Sequence, residues 1–353
     1  MIPRNFDYVA PSSLSEAIGL LEKHGEDAKI LAGGHSLVPM MKLRLAAPAW
    51  LIDLGKISEL DYITEDGGTL RIGSMTTHST IASSGTVRSH SAALADAAEQ
   101  IGDLQVRNKG TIGGSLAHVD PAADYPAAIL AAEATIVAAG SNGDREIAAV
   151  DFFVEMLTSA LEPGEIIREI RIRIHSGNSG SAYVKLRQMA SGFAICGAAA
   201  VVHLDDTGIA ARVRVGVTGV SGHAYRASAT EGALENQEAT PEAIALAAKT
   251  PLRTAPSMVD GQPVSVKSPA RNRLGTGVTW DGRWAEAPGT DRNVAWGCLT
   301  TRNLSITAWA VLGKSLAISV AKSSRSSSLG RSTKSQAPLT DMQTYCPPVE
   351  SAP

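Results

Sequence analysis

Ala28-Lys29-Ile30-Leu31-Ala32-Gly33-Gly34-His35-Ser36-Leu37 is the stretch that decides the fold. Residues 28–32 predict a short strand, the paired glycines a tight turn, and Leu37 to Leu43 a short helix. Trp50-Leu51-Ile52-Asp53 predicts the next strand, so the order strand, turn, helix, strand reads as a small βαβ unit. Upstream, Ser13-Leu14-Ser15-Glu16 has the form of a capping box. Ala17, Ile18, Leu20 and Leu21 then give a helix one apolar face, and Gly25 ends it.

Working outward, residues 56–175 read as a mixed α/β unit and residues 1–55 as the βαβ part before it. Strands are predicted at Leu70 to Ile72, 134–139 and Ile170 to Ile174, with helices at Ser91 to Ile101 and 122–132. Thr111-Ile112-Gly113-Gly114 is expected to form a second tight glycine turn. His175 to Ser181 is polar and glycine-rich and reads as a linker. Residues 176–249 follow as a C-terminal unit, with strands at 182–188, 194–203 and 209–218 and helices near 226–235 and 241–249. In the last strand Val213, Val215 and Val217 alternate with Arg212 and Arg214, which predicts one wet face. On the residues alone these two helices complete the unit.

Residues 250–353 change character. From 251 onward there is no Phe, only two Glu, and four of the five Trp of the chain. Ser323 to Ser335 is low-complexity Ser/Arg/Lys. The stretch reads as translated out of frame, or else as a disordered appendage.

With 353 residues and 44% hydrophobic content the chain can build two or three soluble units. No run approaches the ~20 apolar residues of a membrane span, and no secretion signal opens the sequence, which points to the cytoplasm. Cys196, Cys298 and Cys346 are too scattered for a disulfide scaffold or a metal cluster. Residues 1–250 hold 20 Lys and Arg against 29 Asp and Glu, which argues against a nucleic-acid partner.

The glycine segments carry the chemistry. Without a Cβ, backbone N–H groups can come close to a bulky anion, and a helix start behind the turn adds partial positive charge. Ser36, Thr111 and Ser115 add hydroxyl donors. Taken singly, each Gly-Gly pair is an ordinary turn; two on different segments could hold a pyrophosphate between them. No acid–base dyad, nucleophile triad or metal-ligand set is evident, so no catalytic or metal-binding residue is assigned.

The flanks narrow the reading. Leu31-Ala32-Gly33-Gly34-His35-Ser36-Leu37-Val38-Pro39-Met40-Met41-Lys42-Leu43-Arg44 resembles the first flavin-binding motif of the FAD-containing medium subunits of molybdenum hydroxylases, those of carbon monoxide dehydrogenases above all. Gln105 to Ala127, with Thr111-Ile112-Gly113-Gly114-Ser115 at its centre and Asp124 near its end, resembles the second. The likeness spans about residues 1–249 and implies the α+β FAD-binding fold of the vanillyl-alcohol-oxidase (PCMH) type, with a C-terminal antiparallel sheet and helices. It also implies FAD bound non-covalently, its pyrophosphate on Ala32, Gly33, Gly34, His35, Ser36 and Leu37 and on Thr111, Ile112, Gly113, Gly114 and Ser115. Asp124 matches a family acid near the adenosine or phosphate end. Lys185 and Phe193 lie in a segment resembling the one that reaches the isoalloxazine. The implied partners are a large molybdopterin-binding subunit and a small [2Fe–2S] subunit, with electrons passing from the latter through FAD to an external acceptor.

Plainer readings stand beside these. Lys185 on an alternating strand is an ordinary solvated lysine, Phe193 a core residue, Asp124 a charge at a helix N-terminus, and Cys196 a buried inert thiol. Two rival functions are a self-sufficient FAD-dependent oxidase or reductase of the same fold, and a non-catalytic product, either an interaction protein or an inactive subunit that cannot assemble because of its C-terminus. The resemblance implies further closing helices, without which residues 176–249 are an incomplete unit. Ala308 to Ser315 and Gly275-Thr276-Gly277 superficially match a P-loop and a dinucleotide fingerprint. The first lacks flexible glycines in its loop, and the second has Trp280 where a third glycine belongs.

Overall fold

A computed structural model describes residues 2–249 and two short strands, Met258–Val259 and Gln262–Pro263. The readings made for residues 250–353, including the two rejected motifs, Cys298 and Cys346, fall outside the rest of this described range.

The N-terminal unit comprises β1 (Asp7–Val9), α1 (Leu14–His24), β2 (Ala28–Leu31), α2 (Leu37–Lys42) and β3 (Trp50–Asp53). β3 lies between β1 and β2 and is parallel to both, as the βαβ reading expects. Ser13 caps α1 by accepting from the Glu16 N–H at 3.2 Å. The Glu16 carboxylate turns back to Ser12 N–H at 2.8 Å, one residue earlier than an ideal capping box. Gly25, at φ +53, ends the helix. Ala17, Ile52, Leu54 and Leu60 form a small core beneath this sheet.

A five-stranded sheet follows, in the order β4-β5-β10-β6-β7. Its strands are β4 (Ile63–Asp66), β5 (Thr69–Gly73), β6 (Thr135–Gly140), β7 (Gly143–Ala148) and β10 (Ile166–Arg173), all antiparallel to their neighbours. Between β5 and β6 run α3 (His78–Ser83), α4 (Gly85–His90), α5 (Ala92–Glu99), α6 (Leu104–Arg107), α7 (Ile112–His118) and α8 (Tyr125–Ala131). After β7 come α9 (Ala149–Phe152) and the short hairpin β8 (Phe153–Glu155) and β9 (Thr158–Ser159). Glu169, in the central strand β10, is fully buried. Arg71 grips it through two bonds of 2.9 and 3.0 Å, and Arg171 and the Tyr62 hydroxyl complete its shell. Burial works against the charge, but these donors outweigh it and hold the carboxyl near a pKa of about 2.

The third sheet is an antiparallel meander of β11 (Ser179–Arg187), β12 (Ala194–Leu204), β13 (Ala210–Thr218) and β14 (Tyr225–Arg226). It is followed by α10 (Ser228–Leu234) and α11 (Pro241–Ala247). β11 therefore begins inside the stretch expected as a linker. The alanine-rich helices α5 and α8 share one core with residues from both larger sheets, including Ile170 of β10 and Ala199 of β12. Small side chains allow that close approach: a Cβ on Gly216 of β13 would fall on the Ala127 carbonyl of α8. The alternation expected of β13 holds: Val213, Val215 and Val217 are buried, while the Arg212 side chain is 43% exposed. Arg212 and Arg214 lie over the end of α8 and pair with Glu133.

Candidate FAD site

The two glycine segments, about 80 residues apart in sequence, lie against each other. A Cβ on Gly33 would fall on the Lys109 carbonyl oxygen and 2.6 Å from Gly110 Cα. A Cβ on Gly114 would sit 3.3 Å from Ala32 Cβ and 4.0 Å from Gly33 N. Glycine is therefore needed at 33 because backbone must pack on backbone there. The turn continues through Gly34, whose φ of +74 few other residues adopt readily.

The second segment is not a turn. Gly113 and Gly114 lie in the first turn of α7, and Thr111 is its N-cap, accepting from the Gly114 N–H at 3.1 Å. Its donors are already engaged: Ile112 N–H with Thr76 O, Gly113 N–H with Ser74 O and Ser115 N–H with Thr111 O. By contrast, the N–H groups of Gly33, Gly34, His35 and Ser36 have no protein acceptor among the described residues. The Ser36 and Ser115 hydroxyls likewise have no partner among them. Free backbone donors on one segment, laid beside a capped helix start on the other, suit a ligand bearing anionic oxygens. Leu37 opens α2, and its neighbour His35 is exposed.

Behind the seam stands His78, which the sequence reading did not single out. Its N–H donates to Gly110 O at 2.9 Å, and its ring fills the space where a Gly110 Cβ would be. Its Nδ1 shares a 3.1 Å hydrogen bond with the buried Tyr125 hydroxyl. Burial, reinforced by His35 and Arg107, pushes the imidazole down to about 3, so it is neutral near pH 7.

α7 ends at Val119, a buried β-branched residue with φ +49, which the Leu157 N–H bonds at 3.1 Å. That left-handed step directs the chain through Pro121 to Asp124. The Thr218 hydroxyl and Gly219 N–H of the third unit hold this segment at Pro121 and Ala123. Asp124 makes no side-chain cap on α8. Its buried carboxylate accepts from the Tyr183 hydroxyl and, at 2.8 Å, from Lys185 Nζ. The Lys185 side chain is only 1% exposed and also donates to Gln100 O, which overturns the solvated reading. Burial pushes the Asp124 carboxyl up, against the pull of Lys185 and Tyr183. Phe193 is 51% exposed, at the turn between β11 and β12, so it is not core. The structure thus joins Asp124 to Lys185, places Phe193 on the adjoining hairpin, and brings residues 32–34 against 109–114. Cys196 is buried and its thiol is pushed up to about 12 by that burial, as expected of an inert side chain.

Among the described residues no helix is long and apolar enough to cross a membrane, and no three His, Cys, Asp or Glu side chains are placed to hold a metal.

Known protein families match the chain over residues 4–172 and 181–262. The first is described as "FAD binding domain in molybdopterin dehydrogenase" and the second as "CO dehydrogenase flavoprotein C-terminal domain". The carbon monoxide dehydrogenase medium chain of Hydrogenophaga pseudoflava is 43% identical over 248 residues, 70% of this chain and 86% of the relative. A 6-hydroxypseudooxynicotine dehydrogenase complex subunit alpha from Paenarthrobacter nicotinovorans is 38% identical, over 70% of this chain and 84% of the relative. A solved structure of Hydrogenophaga pseudoflava carbon monoxide dehydrogenase superposes with a TM-score of 0.73 at 37% identity, covering 90% of this chain and 99% of that one. By its two domains, its relatives and its fold, the chain belongs to the FAD-binding flavoprotein family of the molybdopterin dehydrogenases, a family of oxidoreductase subunits.

Proposed function

We propose that this chain is the FAD subunit of a molybdenum-containing hydroxylase or dehydrogenase. In this reading it receives electrons from a small [2Fe–2S] subunit, after substrate oxidation on a large molybdopterin-binding subunit, and delivers them to an external acceptor. The observation that carries the proposal is the backbone seam between Gly33 and Lys109-Gly110, beside which the unpaired N–H groups of 33–36 are gathered.

The FAD diphosphate is assigned to residues 32–36, whose N–H groups supply the donors. Thr111 and Ser115 contribute hydroxyls, and Gly114, partly exposed and without a side chain, lies beside Ala32 and Gly33. Bound FAD supplies reversible electron transfer, which the side chains here cannot. The chain's own work is to bind, orient and shield. Asp124 and Lys185 form a buried pair at the junction with the third unit, where Lys185 retains one N–H beyond its bonds to Asp124 and Gln100. Phe193, exposed on the hairpin tip, is available to cover a flavin face. The domain boundaries near 55, 175 and 249 and a cytoplasmic location belong to the same proposal.

The deciding experiment is a visible absorption spectrum of the purified chain, followed by acid release and identification of the cofactor. One free FAD per chain supports the reading, and a colourless chain that cannot be reconstituted with FAD sinks it. Co-purification with a molybdopterin subunit and an iron–sulfur subunit separates the subunit reading from a self-sufficient oxidase, which would be isolated alone and turn over substrate.

A further inference from the structure

The C-terminal end of α8 carries a residue ill suited to its backbone. Glu133 has φ +48. Ala134 N–H donates to Ile129 O and Glu133 N–H to Leu130 O, the paired bonds of a Schellman end. Glycine is usual at that position, because any Cβ makes left-handed backbone costly by about 1–2 kcal/mol. The side chain explains the choice. Its carboxylate accepts from Arg214 Nε at 2.8 Å, Arg212 Nη2 at 2.5 Å and Arg226 Nη1 at 3.2 Å. All three arginines belong to β13 and β14. Arg214 also pairs with Glu235 and Arg226 with Glu231, so three carboxylates face three guanidiniums. At the opposite end of α8, Asp124 holds Lys185 and Tyr183 of β11. Gly216 seats the helix between these two ends. One short helix is thus tied ionically to the third sheet at both termini.

We propose that Glu133 is a positioning residue, an ionic latch that fixes the third sheet on α8 and so sets where the β11–β12 hairpin lies beside residues 121–122. The consequence for FAD rests on the flavin reading above; the latch itself does not. If the latch is opened, the hydrogen bonds that join the third unit to residues 121–122, Gly219 N–H to Pro121 O and Ala194 N–H to Ala122 O, lose their support. The hairpin carrying Phe193 moves with them.

The test uses the full chain with Glu133→Gly, and with Glu133→Asp and Glu133→Asn as a pair that differs only in charge. If Glu133 served only to end the helix, glycine would leave thermal stability unchanged or raised, since it suits the backbone. As a latch, its loss is expected to speed hydrogen exchange at the Ala194 and Gly219 amides about tenfold, equivalent to about 1.4 kcal/mol. In FAD-loaded protein, cofactor dissociation is expected to rise by a similar factor and the visible circular dichroism of the flavin to change. Glu133→Asp should restore both within about twofold, and Glu133→Asn should not. Exchange at those two amides unchanged in both Glu133→Gly and Glu133→Asn overturns the latch. Should the parent chain hold no FAD, the exchange measurement still decides the latch, while the flavin reading alone fails. Should Glu133→Gly not fold, the Asp and Asn pair carries the same decision.

Discussion

The turn at Gly33-Gly34 leaves its N–H groups free, whereas those of residues 112–115 are all engaged inside the protein. Both segments contain the dipeptide Gly-Gly, yet the missing side chains serve different needs. At Gly33 the absent Cβ makes room for the Lys109 carbonyl, and at Gly113 for Ser74. Gly114 is partly exposed, and a Cβ there would first meet side-chain atoms, Thr111 Oγ1 and Ala32 Cβ, rather than backbone. A glycine motif that binds phosphate therefore holds at least two kinds of glycine: those that let the protein close on itself, and those that let a ligand approach.

That division can be broken by experiment. Gly33→Val should have the largest effect, a loss of more than about 4 kcal/mol or no cooperative unfolding transition at all, because a side chain would meet backbone that cannot swing aside. Urea denaturation checks this, and near-normal stability would mean that the two segments do not touch. Next in size is acid sensitivity through His78. Its folded pKa of about 3 lies below the ordinary 6.5, so the unfolded chain takes up a proton first as pH falls. Stability present above pH 6.5 is then lost progressively toward pH 3, by an amount on the order of 4–5 kcal/mol. Denaturation midpoints measured across that range should flatten in His78→Gln, and an identical slope in parent and variant would remove His78 from behind the seam.

Gly114→Ala should do something different from Gly33→Val. The fold should survive, with the new methyl 3.0 Å from Thr111 Oγ1 and 3.3 Å from Ala32 Cβ absorbed by small shifts. FAD affinity should fall about tenfold, or about 1.4 kcal/mol, as followed by flavin fluorescence on titration. A variant equally tight would take position 114 out of the ligand's path. The smallest change expected is in Thr111→Ala, about 1 kcal/mol of stability from the lost helix cap, with Thr111→Ser close to the parent in the same urea experiment. If Thr111→Ser fails as badly as alanine, the hydroxyl is not the cap.

Local pattern carried the fold a long way. The βαβ order, the strand at Ile170 and the meander after residue 179 all follow from periodicity and punctuation over short windows. Most of the misreadings come from distance along the chain, and the second glycine segment is the exception. Thr111 followed by Ile112 and Leu116 does announce a capped helix, but the glycine pair drew the reading toward a turn. Lys185 looked solvated because its partner Asp124 is 61 residues away, and the pairing of Arg212 and Arg214 left no local signal because Glu133 is 79 and 81 residues away. His78 left no signal in sequence at all, since its role depends on Gly110 and Tyr125 arriving beside it.

The position of β10 has a consequence for how the molecule is made. It is the middle strand of its sheet and the last of the five to be synthesised. Until Ile166–Arg173 leaves the ribosome, β5 and β6 each present an open edge, and Arg71 and Tyr62 lack the Glu169 carboxylate they surround. Such long-range pairing is slow and leaves unpaired strands open to wrong partners. A nascent chain that stops short of residue 166 therefore carries two unpaired strand edges, the feature that makes partly folded chains prone to aggregate.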